Sequence, residues 1–199
     1  MPITELPPSP VPGVRTIELV ADCAPLLQRF FDANCDYFVI VNGEPTGPTE
    51  AHDEIHGELP TGWSFSKRWL IGYVDADGAL VAMPNVVSDL LAPGVWHVGL
   101  FMVAASQQGT GLAQTLHRGL ESWARANGAR WLRLGVVQGN ARAERFWQSQ
   151  GFVETRIRED VAMGKRVNTL RVMVKPLLGG ALPQYLALIE RDRPEPHTG

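Results

Sequence analysis

The sequence has 199 residues, enough for one domain with a sizeable hydrophobic core. Hydrophobic residues make up 45% of it and charged residues 20%, and its net charge of -3 lacks the basic surplus of a nucleic-acid-binding protein. No apolar run is long enough for a membrane span and the N-terminus does not resemble a signal peptide, so we expect a cytoplasmic protein that binds neither nucleic acid nor membrane.

The first third of the chain predicts one strand and two or more helices behind a proline-rich arm. Residues 1–14 form the flexible arm, and residues 15–20 form a short strand. Asp22 is placed to cap a helix that runs to about Asn34. The next stretch, DYFVIVNG, fits either a strand or an extension of that helix, and a short polar helix ends before Pro60.

The rest of the chain alternates strands and helices. A turn at residues 76–78 joins the strands RWLIGYVD and ALVAMPNVVSDL, and residues 95–103 form a nearly continuous apolar strand. An amphipathic helix then ends at Gly128, and a second helix is capped by Asn140. The strands ARWLRLGVV, FVETRIRE and TLRVMVKPL and a C-terminal helix, LPQYLALIERD, complete an α/β sheet with mixed strand directions.

The stretch SQQGTGLAQTLH places two glycines, Gly109 and Gly111, directly before a helix. A helix start has unpaired N–H groups and the positive end of the helix dipole, and glycine lets an anion approach them. Residues 108–113 therefore predict a phosphate cradle, with a plain tight turn as the alternative. A P-loop requires lysine where Leu112 stands, and a dinucleotide fingerprint requires glycine where Gln114 stands, which argues against both of those motifs.

Two short motifs follow each other in the chain, QGTGLA at residues 108–113 and NARAERFWQSQGF at residues 140–152. They resemble the Q/R-x-x-G-x-G/A and N-x-x-A-x-x-F-Y-x-x-x-G-F blocks of the GNAT superfamily of acyl-CoA-dependent N-acetyltransferases. The resemblance covers about residues 68–177. It implies a mixed, mostly antiparallel twisted sheet, flanked by helices and splayed between strands four and five. Residues 15–177 would then be a single domain, and 178–199 a C-terminal helical extension.

The resemblance implies a binding site for acetyl-CoA as cosubstrate. Strand four would pair with the pantetheine arm, and the glycine stretch would hold the pyrophosphate. The residues implied are Phe101, Met102, Val103, Gln108, Gly109, Thr110, Gly111, Leu112, Ala113, Asn140, Arg145, Phe146 and Trp147. The alternatives are a plain helix cap for Asn140 and a solvated charge for Arg145. No metal site is expected, because Cys23 and Cys35 have no ligand spacing and are interpreted as reduced thiols.

The implied reaction is direct attack of an amine on the thioester, which a base assists. His97 stands where the family often has a carboxylate, and the ordinary pKa of histidine, about 6.5, suits a base near neutrality. Alternation puts His97, Gly99 and Phe101 on one face, where Gly99 leaves room for a substrate. The alternative is a structural histidine. The base would then come from acidic residues on the side of the site that binds the amine acceptor, namely Asp36, Asp53 or Asp89.

Trp147 stands where the family's second block usually has a tyrosine, which is thought to protonate the leaving thiolate. An indole N–H donates a hydrogen bond but is no useful acid. Either Trp147 fills the core next to Phe146 and no acid is needed, or water, Tyr37 or Tyr73 takes the role.

The acceptor site would lie on residues 31–69, whose acidic and aromatic side chains favour a small cationic amine over a peptide amine. Tyr37, Trp63 and Gly99 are the residues expected to contact the acceptor. The sequence thus predicts an N-acetyltransferase acting on a primary amine. The alternative is a noncatalytic acyl-CoA-binding sensor or interaction module. The segment LPQYLALIERD serves either a homodimer or packing within the chain.

Overall fold

Seven strands form one sheet with helices on both faces in the computed structural model, which describes residues 5–194. The strands are β1 (Arg15–Glu18), β2 (Lys67–Val74), β3 (Leu80–Ser88), β4 (Val95–Val103), β5 (Trp131–Val137), β6 (Val153–Met163) and β7 (Arg166–Pro176). The helices are α1 (Ala24–Asp32), α2 (Cys35–Asn42), α3 (Glu50–His56), α4 (Leu112–Ala126), α5 (Ala141–Ser149) and α6 (Leu182–Leu188). Residues 1–4 of the predicted arm and 195–199 of the predicted extension lie outside the described residues.

The sheet is antiparallel apart from one pair of neighbouring strands. Its order is β1-β2-β3-β4-β5-β7-β6, and the pair β4–β5 is parallel. The β2–β3 turn is closed by the Asp75 carboxylate, which accepts the N–H groups of Asp77 at 3.0 Å and Ala79 at 2.9 Å. The predicted hairpin and the mixed, mostly antiparallel sheet are therefore confirmed.

In the N-terminal helices, the structure corrects one sequence prediction, the cap at Asp22, and decides between the two alternatives for DYFVIVNG. Asp22 does not cap a helix: it lies inside the short 3₁₀ helix Ala21–Cys23, and no side chain caps α1. Pro25 occupies the first turn of α1, where its ring fixes a helical φ angle. The ambiguous stretch DYFVIVNG forms α2, which ends where Gly43 adopts a φ of 80°, in the left-handed region that glycine favours.

Each face of the sheet carries its own hydrophobic core. Helices α4 and α5 cover the face with the larger core, which includes Trp69, Trp96 and Trp123. Helices α1 to α3 cover the other face near β2 to β4. On this second face, α6 covers the part of the sheet next to helices α1 to α3. There the ring of Tyr185 lies 5.4 Å from that of Trp131. The segment LPQYLALIERD thus packs within the chain, and a homodimer stays a prediction.

The described part of the proline-rich arm lies along α4. Trp123 Nε1 donates a hydrogen bond to the carbonyl of Glu5 at 3.1 Å. Gly119 faces Pro10, and a Cβ at this glycine would come within 2.9 Å of the proline ring. Gly119 therefore lets the arm approach the helix closely. No helix among residues 5–194 combines the length and the apolar character that a membrane crossing needs.

Candidate functional site

A β-bulge interrupts β4 in its middle. Asn85 of β3 pairs with Leu100, whereas the next residue, Val86, pairs with Val98. Gly99 is therefore an extra residue on β4. Such a bulge bends a strand, and it reverses the face to which the following side chains point.

The bulge divides the predicted site residues between two faces of the sheet. Val98 and Phe101 both pack into the core under α4 and α5. His97 and Gly99 face the opposite side, where a Cβ on Gly99 would lie 3.8 Å from His97 Cδ2. The prediction that His97, Gly99 and Phe101 share one face is therefore wrong for Phe101, because simple alternation ignores the inserted residue.

The parallel strands β4 and β5 separate at the bulge. They pair from Val95 with Trp131 to Val98 with Leu134, and β5 then continues to pair with β7 alone. Within residues 5–194, the edge of β4 that faces β5 has no strand partner from Gly99 onward. Its free peptide groups can bind an extended ligand in the gap. The predicted splay between strands four and five is confirmed.

A glycine turn before α4 presents N–H groups to solvent. Gly109 and Gly111 have φ angles of 82° and 87°, which favour glycine. A Cβ on either residue would meet no atom within 4 Å, so the space above the turn is open. The N–H groups of Gly109, Gly111, Ala113 and Gln114 have no hydrogen-bond acceptor within residues 5–194. Together with the helix dipole they suit a phosphate.

Side chains of the same turn hold its shape. Thr110 Oγ1 donates to the carbonyl of Gln107 at 2.7 Å and accepts the N–H of Leu112 at 3.3 Å. Gln108 Nε2 donates to the carbonyl of Val103 at 3.5 Å, which ties the turn to the end of β4. The side chains of the predicted pyrophosphate site thus build the turn, and its backbone is left for a ligand.

The remaining residues of the predicted cofactor site lie at both ends of the gap. Asn140 Oδ1 accepts the N–H of Ala143 at 3.3 Å, so the predicted helix cap is confirmed. Arg145 is exposed on α5. Met102 and Val103 pack into the cores on opposite faces, so their peptide groups rather than their side chains face the gap. Cofactor binding by these residues stays a prediction.

An aromatic cluster lies between β4, α4 and α5. Phe101 stacks on Phe146 with ring centroids 6.0 Å apart, and buried Trp147 packs edge-on against both. The ring of His117, which is 0% exposed, lies 5.3 Å from that of Trp147. Within residues 5–194 its nitrogens have no hydrogen bond of good geometry, although Gln150 approaches, and burial lowers the His117 pKa to about 4. Trp147 therefore fills the core.

His97 lies on the opposite face beside Trp63, whose ring meets it edge-on at 6.4 Å. His97 Nδ1 is 3.1 Å from the carbonyl of Arg133 and 3.4 Å from Arg133 Nη1. The shorter contact makes Nδ1 the donor and leaves Nε2 as the acceptor. Burial and, secondly, the Arg133 charge lower the His97 pKa to about 3. This direction argues against a base that titrates near neutrality, and a catalytic role for His97 stays a prediction.

The C-terminal segment closes this side of the site with a buried carboxylate. Asp192 is 0% exposed and accepts hydrogen bonds from Arg133 Nε at 2.7 Å and Nη2 at 3.0 Å, and from the Tyr185 hydroxyl at 2.6 Å. Burial alone would raise the Asp192 pKa, but the hydrogen bonds and charge of Arg133 outweigh it and hold this pKa below its ordinary value. The adjacent Arg191 lies 4.4 Å from the Trp63 ring centroid.

Sequence reasoning did not find the polar partners of this face, because they lie far apart along the chain. Arg133 and Asp192 are 59 residues apart, and Glu54 and Asn85, which bond to each other, are 31 apart. One signal was available: Arg133 interrupts the apolar strand β5, and a charge in a buried strand requires a partner. Tyr37 lies near Glu54, and burial followed by the Glu54 charge raises its pKa.

The chain is similar to known proteins in sequence family and in fold. The Acetyltransferase (GNAT) family model matches residues 25–152. None of the curated proteins matches the chain. Among solved structures, a GCN5-related N-acetyltransferase from Kribbella flavida is 24% identical with a TM-score of 0.59, over 82% of this chain and 98% of that one.

Two further solved structures share the fold at lower identity. Spermidine N-acetyltransferase from Vibrio cholerae, in complex with CoA and spermine, is 14% identical with a TM-score of 0.63, over 83% of this chain and 96% of that one. The ribosomal-protein-S18-alanine N-acetyltransferase from Escherichia coli is 15% identical with a TM-score of 0.59, over 85% and 97%. Because the family model covers more than half of the chain and the splayed sheet has the matching fold, this protein belongs to the GNAT acetyltransferase family.

Proposed function

We propose that this protein transfers an acetyl group from acetyl-CoA to a primary amine. The observation that carries the proposal is the gap between β4 and β5 beside a glycine turn whose N–H groups have no acceptor within residues 5–194. An extended pantetheine arm suits the free strand edge, and a pyrophosphate suits the helix start. Bound acetyl-CoA supplies a thioester carbonyl that an amine can attack.

The chain's own residues would hold acetyl-CoA mainly through the backbone. Peptide groups of Phe101, Met102 and Val103 would face the pantetheine, and N–H groups of residues 108–113 would face the pyrophosphate. The stacked ring of Phe146 would line the pantetheine on the α5 side. Asn140 and Arg145 would lie toward the nucleotide end.

The acceptor side supports a small cationic amine as the substrate. The carboxylate of Glu54 lies near Tyr37 and close to the exposed backbone of Gly99, and Trp63 lies beside His97 with Arg191 over its ring. A cation approaching Gly99 would therefore meet a carboxylate whose negative charge is partly offset by Arg68, 3.4 Å away. The solved neighbours are named for different acceptors, spermidine in one case and a ribosomal-protein alanine in another, so the panel that tests this class must include both kinds of amine.

A free-thiol release assay with a panel of primary amines tests the proposed function. Turnover of acetyl-CoA with an amine, and mass-spectrometric detection of the N-acetyl product, would support the enzyme. Tight CoA binding with no turnover of any amine would instead support a noncatalytic acyl-CoA-binding module. Trp147 at the family's tyrosine position is the observation that favours this second candidate.

Gly111→Asp should weaken acetyl-CoA binding at least tenfold, about 1.4 kcal/mol. The carboxylate would stand beside the proposed pyrophosphate site and repel it. Gly111→Asn is the matched control, because asparagine has the same shape and tolerates a φ of 87° but carries no charge. Calorimetry should show the larger loss for the aspartate. Equal acetyl-CoA affinity of the two variants would contradict the proposal that the pyrophosphate binds at this turn.

Trp147→Phe should lower the free energy of unfolding by about 1–3 kcal/mol while turnover stays within a few-fold. The reason is that Trp147 packs among Phe101, Phe146 and His117 as part of the core. Trp123→Phe, in the same core but beside the N-terminal arm, is the control for lost packing. A collapse of turnover in Trp147→Phe alone would assign the indole a part in the reaction. Faster turnover in Trp147→Tyr would show that thiolate protonation limits the rate.

A further inference from the structure

A carboxylate that the sequence motifs did not single out lies beside the bulge of β4. Asn85 Nδ2 donates a hydrogen bond to Glu54 Oε1 at 2.6 Å. The same amide nitrogen lies 3.6 Å from the position that a Cβ on Gly99 would occupy. One side-chain amide therefore separates the Glu54 carboxylate from the exposed point where β4 leaves β5.

The position of Glu54 is fixed, and its side chain remains accessible. Arg68 binds the backbone carbonyls of Glu54 and Gly57, which anchors the end of α3, and its Nη2 lies 3.4 Å from Glu54 Oε1. The Glu54 side chain is 24% exposed. Within residues 5–194 its Oε2 accepts no hydrogen bond. One oxygen is thus held in place, and the other has no hydrogen-bond partner within residues 5–194.

We propose that Glu54 takes a proton from the acceptor ammonium group, directly or through one water. The assignment rests on the proposed amine acetylation. The ammonium nitrogen gives one proton to the carboxylate, and its lone pair then bonds to the thioester carbonyl carbon. The C–S bond breaks, and the sulfur leaves as a thiolate. The thiolate takes the second proton that the nitrogen loses, and Glu54 returns its proton to water.

The protonation equilibria favour Glu54 over His97 in this role. Burial raises the pKa of Glu54, and the hydrogen bond from Asn85 and the charge of Arg68 oppose this rise, while Glu50 adds to it. A raised pKa makes the carboxylate a better proton acceptor near neutrality. The pKa of His97 has moved the other way, to about 3, so its imidazole holds a proton weakly.

The test compares wild type with Glu54→Gln, Glu54→Asp and His97→Gln on the best amine of the panel. Glutamine keeps the oxygen to which Asn85 donates. Arg68 still donates to the backbone carbonyls of residues 54 and 57, so the site should fold. Glu58→Gln is the matched control, because it removes the same charge from an exposed position four residues along the chain. Thermal melting checks folding, and calorimetry measures acetyl-CoA affinity.

Glu54→Gln should lower kcat by about 10²–10⁴-fold, with acetyl-CoA affinity almost unchanged. The rise of kcat/KM with pH on the acid side should disappear, although Glu50, Arg68 and Tyr37, which also face Glu54, are intact in the variant. Glu54→Asp should recover part of the rate, and Glu58→Gln should match wild type.

Two results would overturn the role of Glu54 alone, and a third would overturn the proposed function together with it. If Glu54→Gln turns over within about threefold of wild type, or if His97→Gln alone abolishes the acid limb, Glu54 is not the base. If wild type itself releases no thiol with any amine, the proposed function fails, and the role of Glu54 fails with it. Either of the first two results leaves the acetyltransferase intact, so failure of the Glu54 role and failure of the proposed function are distinguishable.

Discussion

Asp192→Asn should lower the free energy of unfolding by about 3–5 kcal/mol. The substitution keeps the shape of the side chain but removes the charge that neutralises Arg133, whose side chain is 4% exposed. An unpaired guanidinium would then remain in the core under α6. Arg158 Nη2, 3.5 Å from Asp192 Oδ1, would lose its carboxylate partner as well. Urea unfolding at constant m-value measures the effect.

An exposed ion pair of the same segment provides the control. Arg193 and Glu190 lie 3.1 Å apart, and the Glu190 side chain is 78% exposed. Glu190→Gln should change stability by less than about 1 kcal/mol, because solvent screens the pair. The double variant Asp192→Asn with Arg133→Met should recover much of the loss, since neither charge is then buried alone. If Asp192→Asn were as harmless as Glu190→Gln, the carboxylate would not stabilise the fold.

Acidification should destabilise the protein through His117, by about 3 kcal/mol between pH 6.5 and 4. The folded state holds this imidazole neutral, with a pKa of about 4, whereas its ordinary value is 6.5. The unfolded chain therefore binds a proton first as the pH falls. The stabilisation that comes from holding His117 neutral is complete above pH 6.5 and is lost as the pH falls toward 4. Below pH 4 this contribution does not change further.

Replacing the imidazole isolates this effect from other titrating groups. His117→Leu should remove this part of the acid loss and should be at least as stable as wild type at pH 7.5, because a buried imidazole that lacks hydrogen bonds of good geometry disappears. Glu121 and Lys175 influence the His117 pKa and are present in both proteins. Parallel stability curves for wild type and His117→Leu would contradict the assignment.

The sequence was sufficient wherever the determinants are local. The turn before α4 depends on consecutive residues, and its two glycines indicate both the backbone geometry and the space for an anion. Likewise, the apolar spacing of α4 predicts the face that this helix buries. Asp22 shows the limit of local rules: a good capping residue stands near a helix start, but Pro25 lets α1 begin two residues later without a cap.

The sequence could not predict features that depend on an inserted residue or on distant partners. The alternation of β4 fails at Gly99, although a glycine inside an apolar strand does indicate a bulge. The contact of Glu54 with Asn85 depends on where α3 lies over the sheet, which no local pattern defines. The amphipathic pattern of LPQYLALIERD predicts a helix, but it does not show that Asp192 is buried against β5.

The pairing of Arg133 with Asp192 also imposes an order on biosynthesis. The ribosome incorporates Asp192 59 residues after Arg133, which takes about 3–12 s at 5–20 residues per second. Small domains fold in microseconds to seconds, so the N-terminal strands have time to pair within that interval. Until the carboxylate arrives, the Arg133 guanidinium has no Asp192 to neutralise it, and Trp63 lacks the Arg191 that lies over its ring. A nascent chain therefore completes the wall of the proposed acceptor site only when translation has passed Asp192.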